Sequence, residues 1–321
     1  GQPVARTRYR WHDAPDGGAC FADGSGWIYV SNSEVDKVGG VSALRFAADG
    51  SVRSAYRTLT GTSRNCAGGA TGWNTWLSCE EVPHGQVWET DPRGVRPAVV
   101  RPAMGRFTHE AAAHDPDRGV VYLTEDEKDG CFYRFRPHNR RDLGSGVLDV
   151  MVGTAAASAS VRWVPVPDPE AQAKPTRHQV PGATRFNGGE GCWYAKGRCY
   201  FTTKGDNRVW AYDVAAKRLE LVYDDSLVAE GEAPLRGVDN ITGTAVGDLY
   251  VAEEGDNMEI NLITPDGVVT PFLRLYDHPR SELTGPAFSP DGRHLYFSSQ
   301  RGKTGKATDG VTYEITGPFR R

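Results

Sequence analysis

Acidic residues and one cysteine recur in this 321-residue chain at the ends of short apolar runs. Glu80 and Glu81 close TWLSCEE, Glu125 and Asp126 fall in VVYLTEDE, and Glu253 and Glu254 fall in DLYVAEEGD. Cys66, Glu110, Glu190, Asp239 and Glu282 stand where the apolar stretches preceding such runs begin. Carboxylates gathered in a small volume cannot all stay ionised without cations or large upward pKa shifts. A multi-metal site is the economical solution. Oxygen-rich clusters suit hard cations, with Ca²⁺ taking six to eight oxygens, and a single thiolate among them admits a transition metal such as iron. One Glu at a strand end is ordinarily a solvated rim residue; Glu at the same phase of five hairpins reverses that reading.

The elements that must bring these residues together are legible as a repeat. WIYVSNSE, TWLSCEE, VVYLTEDE, RCYFTTKGD, DLYVAEEGD and HLYFSSQRG each have an aromatic and aliphatic body followed by a polar tail. After each comes a run alternating apolar and polar residues, such as GGVSALRF, GCFYRFRP and NRVWAYDV, the pattern of half-buried strands. A strand-built repeat of roughly 45 residues predicts a propeller, one unit per blade. The expected fold is all-β: six four-stranded antiparallel blades in a single domain over residues 1–321. The sixth blade runs out of chain soon after Ile315, so residues 4–11 are expected to supply its outer strand and close the ring. The interval from Thr108 to Gly189 is nearly double the others, which predicts an inserted loop at about 137–184.

In each hairpin the first strand starts, and the second ends, at the same edge of its blade. Glu110 is therefore expected near Glu125 and Asp126, Asp239 and Asn240 near Glu253 and Glu254, and Cys66 at the same end as Glu80 and Glu81. The same reasoning places Glu190 near Thr203 and Lys204, and Glu282 near Ser299 and Gln300. If the blades share one radial arrangement, these groups ring the mouth of a central channel.

Hydrophobic content of 39% with 38 Gly and 20 Pro fits a turn-rich β protein, and no apolar run approaches the roughly 20 residues of a membrane span. A formal charge of −4 offers no basic footprint for nucleic acid. A monomer without membrane attachment is expected. Gly1 is not an initiator methionine, so an upstream segment is expected to have been removed. A hairpin centred on Ala195-Lys196 would set Cys192 opposite Cys199, and a turn at Gly72-Trp73 would set Cys66 opposite Cys79, as disulfides or as reduced thiols. His109 is expected to pack on the face opposite Glu110, and Trp27, Trp73, Trp76, Trp88 and Trp210 between blades.

Read together, NCAGGATGWNTWLSCEE (65–81), GRFTHEA (105–111), YLTED (122–126), DNIT (239–242), AEEG (252–255) and ELTGPAFSPDGRHLYFSSQ (282–300) resemble the PhoX-type alkaline phosphatases. The motifs run through most of the chain in family order. The resemblance implies a six-bladed propeller, exported by the twin-arginine route, whose channel mouth holds iron and calcium (Fe³⁺ and Ca²⁺) and hydrolyses small phosphate esters. It also implies that Cys66 bridges the irons as thiolate, that Glu110 and Glu190 are ligands, and that Glu253 and Glu254 form a pair shared with calcium. The hairpin argument adds Glu81, Glu125, Asp239 and Glu282 to the expected metal set. Two positions depart from the family pattern. Gly188 stands where an Arg is expected two residues before the ligand Glu, so a phosphate clamp would fall to Arg185, Arg301 or Lys303. Glu253-Glu254 replaces a Glu-Asp pair. The competing readings are a calcium-only propeller lactonase or aryl esterase, for which the carboxylates and Asn240 suffice without Cys66, and a non-catalytic calcium-stabilised binding propeller.

Overall fold

Six antiparallel sheets follow one another along the chain in the computed structural model, which describes residues 1–4, 7–229, 233–255 and 257–320. Blade 1 is β1 (Pro15–Asp23), β2 (Gly26–Ser33), β3 (Gly39–Phe46) and β4 (Val52–Thr62); blade 2 is β5 (Asn65–Ala70), β6 (Trp76–Glu80), β7 (Val87–Thr90) and β8 (Val99–Val100). Blade 3 has five strands, β9 (His109–Asp115), β10 (Val120–Glu125), β11 (Phe132–Asn139), β12 (Asp142–Val152) and β13 (Arg162–Pro165). Blade 4 is β14 (Gly189–Ala195), β15 (Arg198–Thr203), β16 (Arg208–Asp213) and β17 (Arg218–Asp224), and blade 5 is β18 (Val238–Gly243), β19 (Leu249–Glu253), β20 (Glu259–Ile263) and β21 (Val269–Arg274). Blade 6 is β22 (Leu283–Phe288), β23 (His294–Ser299) and β24 (Val311–Thr316). Each sheet is a meander with sequential neighbours paired, and the second strand of each is almost wholly buried because it lies between two blades.

Aromatic side chains weld neighbouring blades. Phe132 of blade 3 stacks on Phe201 of blade 4 at 4.2 Å between ring centroids, and Phe201 leads on to the fully buried Trp210. Such pairs contribute about 0.5–1.5 kcal/mol beyond their buried area. Blades 6 and 1 meet in the same way, through Tyr29 on Tyr296 at 4.7 Å and the Trp27 indole N–H donating to the Tyr296 hydroxyl.

Three expectations need correction. Residues 5 and 6 of the anticipated closing strand lie outside the described residues. Among those described, the segment makes one isolated bridge, Pro3 with Arg10, and blade 6 has three strands. Trp11 instead packs in the apolar cluster between blades 1 and 6 and donates its indole N–H to Thr312 Oγ1. The anticipated inserted loop at 137–184 contains the rest of β11, all of β12 and the extra strand β13, whose Trp163 donates to Tyr212 of the next blade. Its Pro and small residues had masked that pairing. The cysteines are all free thiols. The turn lies at Lys196-Gly197, one residue later than expected, so Cys192 pairs with Phe201 while Cys199 pairs with Tyr194, although the two sulfurs lie 3.5 Å apart. A bulge sets Cys66 and Ala67 together opposite Cys79, and the two thiols part: Cys66 lines the channel-mouth cavity while Cys79 packs in an apolar cluster.

The inner strands come so close that some positions admit no side chain. A Cβ on Gly69 of β5 would overlap the Ala112 carbonyl of β9. Gly69→Val is expected to destabilise the fold by about 1–3 kcal/mol or more, read as a lowered thermal midpoint; an unchanged midpoint would mean that these two strands are not held in contact.

Candidate metal centre at the channel mouth

The first strand of every blade carries a β-bulge at the same end, and the bulges decide which side chains enter the channel. Pairs Pro15–Ser33 and Gly18–Ser31 leave Asp16 and Gly17 opposite the single residue Asn32. In the same way Cys66 and Ala67 oppose Cys79, Glu110 and Ala111 oppose Thr124, Glu190 and Gly191 oppose Thr202, and Asp239 and Asn240 oppose Ala252. A bulge sets two residues against one and re-aims the first of them. In blades 1 to 4 the second residue is compact: a Cβ on Gly17 would stand 2.5 Å from Ala67 Cα, and one on Gly191 2.5 Å from Ile241 N. In blade 6 the bulge comes one pair later, at Gly285-Pro286, and presents no acid.

Polar residues opposite the bulges fasten each to the next blade. Asn32 Nδ2 donates to the carbonyls of Cys66 and Ala67, Thr124 Oγ1 donates to the Glu190 carbonyl, and Thr202 Oγ1 donates to the Asp239 carbonyl. The circuit continues from Gly285 N to Asn240 Oδ1 and from Thr284 Oγ1 to the Pro15 carbonyl. Between blades 2 and 3 the corresponding residue is Cys79, packed in an apolar cluster. The bulge backbones of blades 2, 4 and 5 are thereby fixed without using their acidic side chains.

A second, less buried tier comes from the residue that follows each second strand. Glu34, Glu81, Asp126, Lys204, Glu254 and Gln300 each donate a backbone N–H to the strand-entry residue of their own blade, respectively Ala14, Arg64, Thr108, Gly188, Gly237 and Glu282. Together the tiers line a cavity of about 80 Å³ with Asp16, Glu34, Cys66, Glu81, Glu110, Glu190, Asp239, Glu254 and Glu282, against the cations Arg64, Lys204 and Arg301.

Charge balance in this cavity is incomplete. Arg64 bridges Glu34 (2.7 Å) and Glu81 (2.8 Å), Lys204 contacts Glu190 (2.7 Å), and Arg301 grips Glu282 through both arms. Gln300 Nε2 donates to Asp16 and Glu34. Glu110 has none of this support: it is 0% exposed and neither carboxylate oxygen has a hydrogen-bond partner among the described residues. Burial, then the neighbouring Glu190 and Glu81, push its pKa far above the usual carboxylate range. Burial does the same to Asp16, Glu190 and Asp239, and raises the Cys66 thiol with help from Asp16 and Glu110. Unpartnered buried carboxylates are rare and demand an explanation such as a bound ion. Donor atoms of Asp16, Glu34 and Cys66, of Cys66, Glu81 and Glu110, and of Glu110, Glu190 and Asp239 lie within 4.8 Å of one another in each group. This donor set, carboxylate oxygens with one sulfur, fits hard cations together with a transition metal.

Of the residues expected here, Cys66, Glu81, Glu110, Glu190, Asp239, Glu254, Glu282 and Arg301 meet at the cavity, and four do not. Glu125 accepts from Tyr133, the Cys131 N–H and Arg177 inside blade 3, and Glu253 accepts from the Arg236 N–H. Both end a strand, and alternation turns them away from the residue that follows, so Asp126 and Glu254 face the site instead. Arg185 donates to the Asp129 carbonyl and to Cys131 Sγ, and Lys303 is exposed outside the cavity. His109 is buried against Phe107 and bonds the Gly105 carbonyl, as alternation requires. Asp16, Glu34 and Arg64 were not singled out as site residues, and Lys204 was expected only as a neighbour of Glu190 at the same mouth. A signal for Asp16 existed: Asp16-Gly17-Gly18 repeats the donor-small-small frame of Cys66-Ala67-Gly68 and Glu110-Ala111-Ala112.

The family model for alkaline phosphatase PhoX matches residues 27–89 and 82–302. The chain belongs to the PhoX family. Pseudomonas fluorescens PhoX, solved in complex with vanadate, a transition state analogue, superposes with a TM-score of 0.77 at 18% identity, covering 95% of this chain and 89% of that one. Two further structures share the fold: a gluconolactonase from Xanthomonas campestris (TM-score 0.55, 12% identity, 89% and 83% coverage) and the calcium-binding protein regucalcin from Agrobacterium tumefaciens (0.56, 14%, 95% and 90%). No curated protein matches the chain by sequence.

The raised carboxyls make a signed prediction for this PhoX-family chain without divalent ions. Burial lifts Glu282 from 4.5 to about 7 against the pull of Arg301. The fold favours the protonated acid, so this contribution is complete below the unfolded value and is lost as pH rises through about 7. Asp16, Glu110, Glu190 and Asp239 shift in the same direction. The thermal midpoint in chelator is expected to fall by several degrees as pH rises through neutrality, and Glu282→Gln to flatten the slope near pH 7. A midpoint that climbs over that range would contradict the assignment.

Proposed function

We propose that the chain is a phosphoric ester hydrolase acting at the channel mouth with iron and calcium. The observation that carries this reading is Glu110, a fully buried carboxylate without a partner among the described residues, surrounded by donors from five blades. Asp16, Glu34, Cys66, Glu81, Glu110, Glu190 and Asp239 would hold the ions, with Cys66 favouring iron as one of them over a calcium-only site. Bound there, such ions supply Lewis-acid stabilisation of phosphoryl oxygens and lower the pKa of water.

The chain's own residues do the positioning. Arg64 and Arg301, each partly exposed at the rim, present cationic N–H groups toward an arriving phosphoryl group. The compact residues behind the bulges, among them Gly17, Ala67, Ala111 and Gly191, narrow the channel beneath it. The small cavity suits a phosphoryl group, leaving the organic part of the ester outside. Vanadate bound to the Pseudomonas relative supports a phosphate ester as substrate.

Metal analysis of the purified protein with a panel of phosphate mono-, di- and triesters tests the proposal. Iron, calcium and hydrolysis of at least one ester are expected, and Cys66→Ala should lose the iron and at least about 100-fold in activity while keeping its far-UV spectrum. Undiminished hydrolysis by the iron-free variant would refute the role given to Cys66. Calcium without iron in the wild-type protein would favour the lactonase or binding-module readings.

A further inference from the structure

The less buried tier at the channel mouth has one cationic member. Blades 1, 2, 3 and 5 place Glu34, Glu81, Asp126 and Glu254 after their second strands, and blade 6 places the amide Gln300. Blade 4 alone places an ammonium there. Lys204 Nζ lies 2.7 Å from Glu190, 3.2 Å from Asp126 and 3.6 Å from Glu254, so it joins carboxylates of three consecutive blades. Resting on the metal-centre reading above, we infer that Lys204 is a resident cation that takes the place of a divalent ion at the junction of blades 3, 4 and 5.

The fold holds Lys204 in that position. Its backbone N–H donates to the Gly188 carbonyl at 2.8 Å, and the next residue, Gly205, donates to Asn187 at 3.0 Å. Gly188 has φ of +68°, and a Cβ there would press on Lys204 Cγ at 3.3 Å and on Asp126 Oδ1 at 3.4 Å. The absent side chain at 188 therefore makes room for the lysine stem. Burial opposes the charge on Lys204, but Glu190 and then Asp126 outweigh it and hold the ammonium protonated. Three carboxylate oxygens around one point are the donors a calcium ion would use, and a lysine supplies a single positive charge where the ion supplies two. Its ammonium has three donors, one for each of these carboxylates, and offers no exchangeable ligand site.

Equilibrium dialysis of the full chain against Ca²⁺, with the bound ions counted, tests the inference on the wild type, Lys204→Met and Lys204→Arg. The Met variant is expected to bind one more calcium per chain than the wild type, the Arg variant the wild-type number. Adding Glu254→Gln to Lys204→Met should weaken the gained site by about tenfold or more, since one of its few charged ligands is neutralised. Lys204→Gln serves as the neutral replacement if the Met variant does not fold. Equal calcium counts in the wild type and the neutral variant would overturn the inference while leaving the metal centre standing. A wild-type chain that binds no divalent ion would overturn both.

Discussion

The mutual repulsion of carboxylates in a confined, largely dry space is the constraint on which the rest of this molecule depends. Nine acid or thiol side chains face three cations in a cavity of about 80 Å³. Among the described residues the cations do not neutralise that set, and burial of unpaired carboxylates is among the more destabilising things a fold can do. The response within the chain is twofold. Arg64, Lys204, Arg301 and Gln300 pair with Glu34, Glu81, Glu190, Glu282 and Asp16, and proton uptake is favoured in the deeper acids. Divalent and trivalent ions bound there would remove the same repulsion more effectively and would link the chemistry of the site to the stability of the fold.

Holding like charges together requires a scaffold that does not relax. The bulges turn the donors inward, and the hydrogen bonds from Asn32, Thr124 and Thr202 fix the bulge backbones to the preceding blade. Those bonds lie in the same plane of the ring as the charges they restrain. The aromatic contacts between blades, such as Phe132 on Phe201 and Tyr29 on Tyr296, supply apolar burial farther out along the sheets. A preorganised site of this kind is paid for by packing elsewhere, as is common where function conflicts with stability.

Much of this arrangement was legible in the sequence because a propeller blade is a local object. Period-2 patterning and polar tails located the hairpins, and hairpin geometry brought Cys66, Glu110, Glu190 and Asp239 to one end. What patterning could not supply was the bulge, which is a register shift rather than a composition. It aimed Cys66 into the cavity while Cys79 opposite stayed in the apolar core, and strand-end alternation sent Glu125 and Glu253 away from the cavity while admitting Glu34 and Glu254. Lys204 was legible as a neighbour of Glu190, but its importance lies in occupying a position where blades 1, 2, 3 and 5 carry acids, visible only once the blades are compared in register. Arg185 and Lys303 were close in sequence to site residues and remote from the cavity, because a turn separates each from the strand end that points inward.

The central claim is that the bulge-presented ring is a metal centre, and anomalous diffraction from crystals of the purified protein tests it most directly. Data collected on either side of the iron absorption edge should show a peak within bonding distance of Cys66 and Glu110, with further non-iron density among Glu190 and Asp239. A map without metal density, in which Glu110 is instead hydrogen-bonded as a neutral acid or Cys66 is joined to Cys79, would contradict it.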